Sequence, residues 1–244
     1  VAVGSGALYA NTTGTFNCAV GPGQYGVSQG PLGANTTGSL NTALGLKALL
    51  ANTTASNNTA LGSSCLKANT TGASNTSVGS AALEDNTTGS FNVAIGRQAL
   101  KDNTEASNNI GIGRNALGAN TTGAHNIALG SLALDSNTTA NNNIAVGFEA
   151  LTANTTGTAN TAVGANALDA SNTAIKCTAV GQHALGAQVD SGSGTPNDNT
   201  AVGKSAGSDV SSGYQNTFVG SLAGDNVTAC LLYTSDAADE ITGV

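Results

Sequence analysis

Apolar residues in this chain come in short clusters that recur at a fixed interval. From Asn41 the order is polar Asn-Thr, apolar Ala43-Leu44, Gly45, two variable residues, apolar Ala48-Leu49, then the polar stretch ANTTASN before the pattern restarts at Asn58. The interval is 17 residues. With Asn41 as coil position 1, units open at Asn17, Asn41, Asn58, Asn75, Asn92, Asn109, Asn126, Asn143, Asn160, Cys177, Asn199 and Asn216, and Val1 enters a unit at position 2. A repeat this short cannot bury an apolar face alone, so it predicts stacking of like units. Seventeen residues with a glycine and an NTTG turn leave too little room for a helix pair, and TAVG and NIAVG favour extended backbone. The prediction is an all-β chain, a parallel β-solenoid with one coil per 17 residues and almost no helix.

Position 5 is glycine in every unit, including Gly45, Gly62, Gly79, Gly96, Gly113, Gly130, Gly147 and Gly164. So uniform a column implies a backbone demand at a corner, either positive φ or close approach of the next coil. The adjacent apolar pairs say more. In a strand, neighbouring side chains point to opposite faces, so Ala43 and Leu44, or Ala48 and Leu49, are expected to face opposite sides. One set fills the interior and the other calls for a partner chain, for which homo-oligomerisation is the simplest solution. A corner between positions 3 and 4 is the alternative, turning both inward.

Composition narrows the class further. The chain has 244 residues with 33 Gly, 3% aromatic residues, no Trp and no Met, unlike an ordinary globular core. A net charge of −7 with seven scattered Lys and Arg supplies no basic face for nucleic acid, and no stretch is long and apolar enough to insert in a membrane. Cys18, Cys65, Cys177 and Cys230 follow no ligand or disulfide spacing. Residues 1–229 are expected to form one solenoid domain, entered partway through a coil at Val1. Residues 230–244 resemble the translated adapter of a sequencing library, so they are expected to be a non-native tail and the chain a fragment.

The motif NTAVGxxALxxNTTGxx resembles the head repeats of YadA-type trimeric autotransporter adhesins and related repeats of phage and bacterial tail fibres. The Asn corner, the Ala-aliphatic-Gly triplet and the following small-plus-apolar segment carry the resemblance, over nearly the whole of residues 1–229. It implies a left-handed parallel β-roll in a homotrimer, displayed outside the cell on a bacterial surface or a virion fibre, where it meets a glycan or protein receptor of the host. This chain differs by its longer coil and its added NTTG turn.

Candidate chemistry is sparse. Asn52, Asn69, Asn86, Asn103, Asn120, Asn137 and Asn154 at position 12 are expected to form a stacked amide ladder, because Asn bonds turn backbone; most also open an N-glycosylation sequon. Threonines at positions 2, 13 and 14 could instead present a hydroxyl array to ordered water or ice. Two units carry extra residues, seven around PGQYGVSQGPLG and five around AQVDSGSGTPND, and loops leaving a rigid stack suit recognition. Tyr25, Gln29, Asp190 and Asp198 are therefore the candidate receptor contacts. His125 and His183 stand outside any catalytic motif, Glu84 and Asp85 suit solvated surface, and Cys65 in the small-residue column suits a buried thiol. No cofactor, metal or catalytic set is expected, so a glycan-degrading spike is the enzymatic alternative to a fibre segment.

Overall fold

The structure is a computed structural model that describes residues 1–23, 29–188 and 197–228, together with the backbone of 234–236. It divides into two compact units, Val1–Ala124 and His125–Val244. The first contains β1 (Ala2–Val3), β2 (Cys18–Val20), β3 (Thr42–Leu44), β4 (Thr59–Leu61), β5 (Thr76–Val78), β6 (Val93–Ile95) and β7 (Ile110–Ile112). The second contains β8 (Ile127–Leu129), β9 (Ile144–Val146), β10 (Thr161–Val163), β11 (Thr178–Val180), β12 (Thr200–Val202), β13 (Thr217–Val219) and β14 (Thr234–Asp236). Within each unit every strand pairs in parallel with the next in sequence, as a β-solenoid requires, and the described residues contain no helix.

Register follows the repeat: Thr42 lies beside Thr59, Thr59 beside Thr76, and Thr161 beside Thr178. Where the sequence carries extra residues the columns still align, Cys18 beside Thr42 and Thr178 beside Thr200. The strands on either side of each insertion are thus in register. In the tail, β14 continues the pairing with Thr234 beside Thr217.

The strand alternates as its pleat demands. Position 3 is buried, with Ala43, Ala60, Ala94 and Ala162 at most 1% exposed, while position 4 faces out, with Leu44 43% and Leu61 42% exposed. Positions 8 and 9 correct the sequence reading. Ala48 and Leu49 are both fully buried, as are Ala99 with Leu100 and Ala150 with Leu151. The expectation of opposite faces assumed extended backbone, but these residues lie in turns. The amide of Ala48 donates to the Gly45 carbonyl, that of Leu50 to Lys47 and that of Asn52 to Leu49, so one tight turn follows another. The third residue of each of the first two turns has positive φ, 61° at Lys47 and 50° at Leu49, which rotates both apolar side chains inward. Left-handed backbone costs a leucine about 1–2 kcal/mol. Its complete burial contributes about 1.5–3 kcal/mol, so burial offsets the strain.

Between these turn bonds, alternate amides reach the next coil: Leu49 to the Cys65 carbonyl at 3.0 Å, Ala51 to Lys67 at 3.0 Å, and Thr53 to Thr70 at 3.2 Å. The position 5 glycine meets both demands inferred from its column. Gly62 has φ of +138°, and a Cβ there would lie 2.8 Å from the Gly79 carbonyl oxygen of the next coil.

Candidate interaction surface

The interior is closed by two asparagine columns. At position 12, Asn86 donates both hydrogens of its Nδ2, one to Asn69 Oδ1 at 2.8 Å and one to the Gly89 carbonyl at 3.0 Å, while its Oδ1 accepts from Asn103 at 2.8 Å. Asn52, Asn69, Asn103 and Asn120 repeat the arrangement in the first unit, and Asn154 donates to Asn137 at 3.2 Å in the second. At position 1, the Oδ1 of Asn58 accepts from the Asn75 amide at 2.9 Å, and its Nδ2 reaches the Gly72 carbonyl at 2.9 Å. These amides are fully buried. Buried polar groups satisfied in this way tie each coil both to itself and to its neighbour, because Asn86 bonds Gly89 three residues on and Asn69 one coil away.

What remains for function is the outside. On the sheet face, position 4 presents Leu44, Leu61, Ile95 and Ile112 in the first unit, 37–43% exposed, and Val163, Val202 and Val219 in the second, 36–45% exposed. Position 2 flanks this column on the same face with Thr42, Thr59, Thr76, Val93 and Ile110, then Ile127, Ile144, Thr161, Thr178, Thr200 and Thr217. Neighbouring rungs of such a column stand about 4.8 Å apart, so the aliphatic groups form an unbroken ridge within each unit. At position 17, just before the strand, Phe16, Leu40 and Phe91 are 84%, 56% and 62% exposed. Their φ values of 57–59° turn them outward at a corner, a role that a column of mixed composition did not reveal.

Hydroxyls are divided. Position 13 threonines donate to the next coil, Thr53 Oγ1 to the Thr70 carbonyl at 3.2 Å and Thr87 Oγ1 to Thr104 at 3.0 Å, so that column serves the stack. Position 14, including Thr54, Thr71 and Thr88, is exposed.

Charged groups line positions 10 and 11. Lys67 Nζ pairs with Glu84 at 3.0 Å, and Lys101 Nζ with Asp102 at 2.6 Å and Asp85 at 3.6 Å. The bond to Asp102 raises the Lys101 pKa, against a partial desolvation. Pairs this exposed contribute about 0–1 kcal/mol each and decorate the surface. In the second unit Asn166 Nδ2 donates to Glu149 at 3.1 Å and to Asp169 at 3.3 Å; burial raises the Asp169 pKa, with the Asn166 bond opposing it.

His125 and His183 are exposed, and among the described residues no group of three or more His, Cys, Asp and Glu is placed to hold a metal ion. Cys65 is fully buried, and burial pushes its thiol up. Of the loop residues singled out, Gln29 is exposed, whereas Tyr25 and Asp190 lie outside the described residues. Asp198 is back in the coil rather than in a loop: it occupies position 17, half-buried, and its amide donates to the Ile175 carbonyl at 3.3 Å.

One compensation escaped the sequence reading. Phe218 stands in the alanine column and is fully buried. Gly207 and Gly224 stand in the leucine column, and a Cβ on Gly207 would approach Phe218 Cδ2 to 2.9 Å. The ring fills the volume of two missing leucines. Its signal was available, because the three exceptions cluster in adjacent units.

No protein family matches the chain, and neither a curated protein nor a solved structure shows significant similarity to it.

Proposed function

We propose that the chain is a structural and adhesive segment of an extracellular fibre, carried on a bacterial surface or a virion, in which copies associate as a homotrimer and display a receptor-binding surface to a host glycan or protein. The observation that carries this reading is the unbroken aliphatic column at position 4. An apolar ridge on a rigid scaffold marks an interaction site, and parallel copies in register place like coils at one level. Left-handed coiling goes with the same reading. Gln29, which is exposed, supplies a further contact, and Tyr25 and Asp190 in the inserted sequences are candidates for the same role. The test is sedimentation of the full chain fused to a trimerising domain and then released from it. A trimer that persists after release supports the proposal, and a folded, soluble monomer at micromolar concentration removes the homotrimer from it.

The threonines of position 2 favour a second reading, an ordered-water or ice-binding face. They stand beside the aliphatic column on one pleated surface. Thermal hysteresis by the soluble chain would establish that activity, and freezing behaviour no different from that of an inert protein would remove it.

A further inference from the structure

We infer that folding of this chain and N-glycosylation of its ladder asparagines exclude one another, so that its biogenesis follows a route on which no sequon-directed glycosyltransferase meets the unfolded chain. The acceptor signal Asn-x-Thr recurs at position 12, as in Asn52, Asn69, Asn86, Asn120, Asn137 and Asn154. Glycan transfer forms a bond from Nδ2 to the anomeric carbon as the bond to the lipid pyrophosphate donor breaks, and one Nδ2 hydrogen leaves as a proton. In the coil neither hydrogen is free: those of Asn69 go to Asn52 Oδ1 and the Gly72 carbonyl, both at 2.9 Å. The same asparagines are 0% exposed. A glycan is bulky and belongs at the surface, so one placed here removes a buried hydrogen bond and forces neighbouring coils apart. Asn75, in the sequon Asn-Thr-Ser, is equally closed: its Nδ2 is bonded to the Gly89 carbonyl at 2.9 Å.

Asn57 is the internal contrast. It opens the sequon Asn57-Asn58-Thr59, yet it is exposed at the position 17 corner. A glycan there projects into solvent and leaves the stack intact. The fold thus sorts acceptor sequences that are locally alike into compatible and incompatible sites, and the incompatible ones recur along the chain. The inference stands whether or not copies associate.

The experiment compares the full chain made in bacterial cytosol with the same chain directed into a eukaryotic secretory lumen. A second version changes the last threonine of every position 12 sequon to valine, as in Thr54→Val, Thr71→Val and Thr88→Val, with Ser77→Ala, and keeps the Asn57 sequon. Glycopeptide mapping locates the sugars, and resistance to a general protease reports the fold. The cytosolic chain is expected to be resistant. The lumenal wild type is expected to carry glycans on ladder asparagines and to be cleaved at least about tenfold faster, whereas the lumenal variant is resistant with sugar at Asn57. Blocking synthesis of the lipid-linked donor in the same cells restores resistance to the wild type, independently of the substitutions. Ladder glycans on a chain as resistant as the cytosolic one overturn the inference. So does a lumenal wild type that folds unglycosylated at the cytosolic yield.

Discussion

The coils from Asn41 to Asn108 and those from Asn160 to Thr228 solve the same packing problem with different side chains. In the first group position 12 is always Asn, and each Nδ2 meets the Oδ1 of the preceding coil at 2.8–2.9 Å. In the second group the column reads Ser171, Gln188, Val210 and Val227. Asn154 Oδ1 is left buried without a partner where Ser171 follows it. Position 1 changes too: Cys177 replaces Asn, and the longer Gln188 crosses to the other column, accepting from Asn199 Nδ2 at 2.6 Å. The core shifts in parallel, with Phe218 standing in for the leucines absent at Gly207 and Gly224. Backbone pairing continues through both groups, Thr42 beside Thr59 in one and Thr200 beside Thr217 in the other. Main-chain ladder and rung spacing therefore do not need an asparagine at position 12, provided that the replacement is apolar or brings its own partner.

The sharpest way to break this comparison is to move residues across it. Asn86→Val removes two donated bonds and one accepted bond inside the stack and leaves their partners buried, so a loss of about 3–5 kcal/mol is expected by chemical denaturation. Were Asn86→Val as mild as the natural Val210 suggests, the ladder would be ornamental in the regular coils as well. Next in size is the aromatic swap. Phe218→Ala is expected to cost about 3 kcal/mol through the cavity that it opens. Adding Gly207→Leu and Gly224→Leu should recover most of that loss, because the position 9 backbone already holds leucine at positive φ elsewhere. Each glycine replacement alone, against the intact ring, should destabilise, and additive effects in this cycle would refute the compensation.

A smaller gain should come from Ser171→Asn, which supplies the donor that Asn154 Oδ1 lacks. About 1 kcal/mol of stabilisation is expected, read as slower amide exchange in the flanking coils. The least effect is electrostatic. Burial holds the Asp169 pKa above its ordinary value, so the folded state favours the protonated acid. That contribution is fully present below the ordinary aspartate pKa and is lost as pH rises through the raised one. Asp169→Asn should flatten the dependence of melting temperature on pH from the ordinary carboxylate range upward. Lys101 in the regular coils behaves in its own range, its contribution present below the ordinary lysine value and lost in strong alkali.

Much of this architecture was legible in the residues. The 17-residue period, the glycine corner and the opposite facing of positions 3 and 4 follow from periodicity and pleat, and the structure shows which of the pair faces out and the glycines constrained by both φ and close approach. Positions 8 and 9 were not legible, because Leu49 and Leu66 adopt a left-handed conformation that propensity reserves for Gly and Asn. Only the packing gain in the assembled stack makes that choice favourable. The candidate surface was half legible: the ridge was anticipated from Leu44 beside Ala43, but the exposed corner of Phe16, Leu40 and Phe91 has no uniform column to mark it. Spacing alone cannot place an insertion's limits, so it puts Asp198 in a loop where the chain has already rejoined the coil.

Strict alignment of like residues in neighbouring rungs also bears on heredity. Each coil bonds chiefly to the coils before and after it, so stability grows by nearest-neighbour increments. A duplication or deletion of one 17-codon module keeps the reading frame and every column together, while the loss of a single codon leaves one coil short of a column. Recombination between near-identical modules can therefore lengthen or shorten the protein in whole steps. The number of coils becomes a quantity that mutation adjusts by counting, without inventing a new contact.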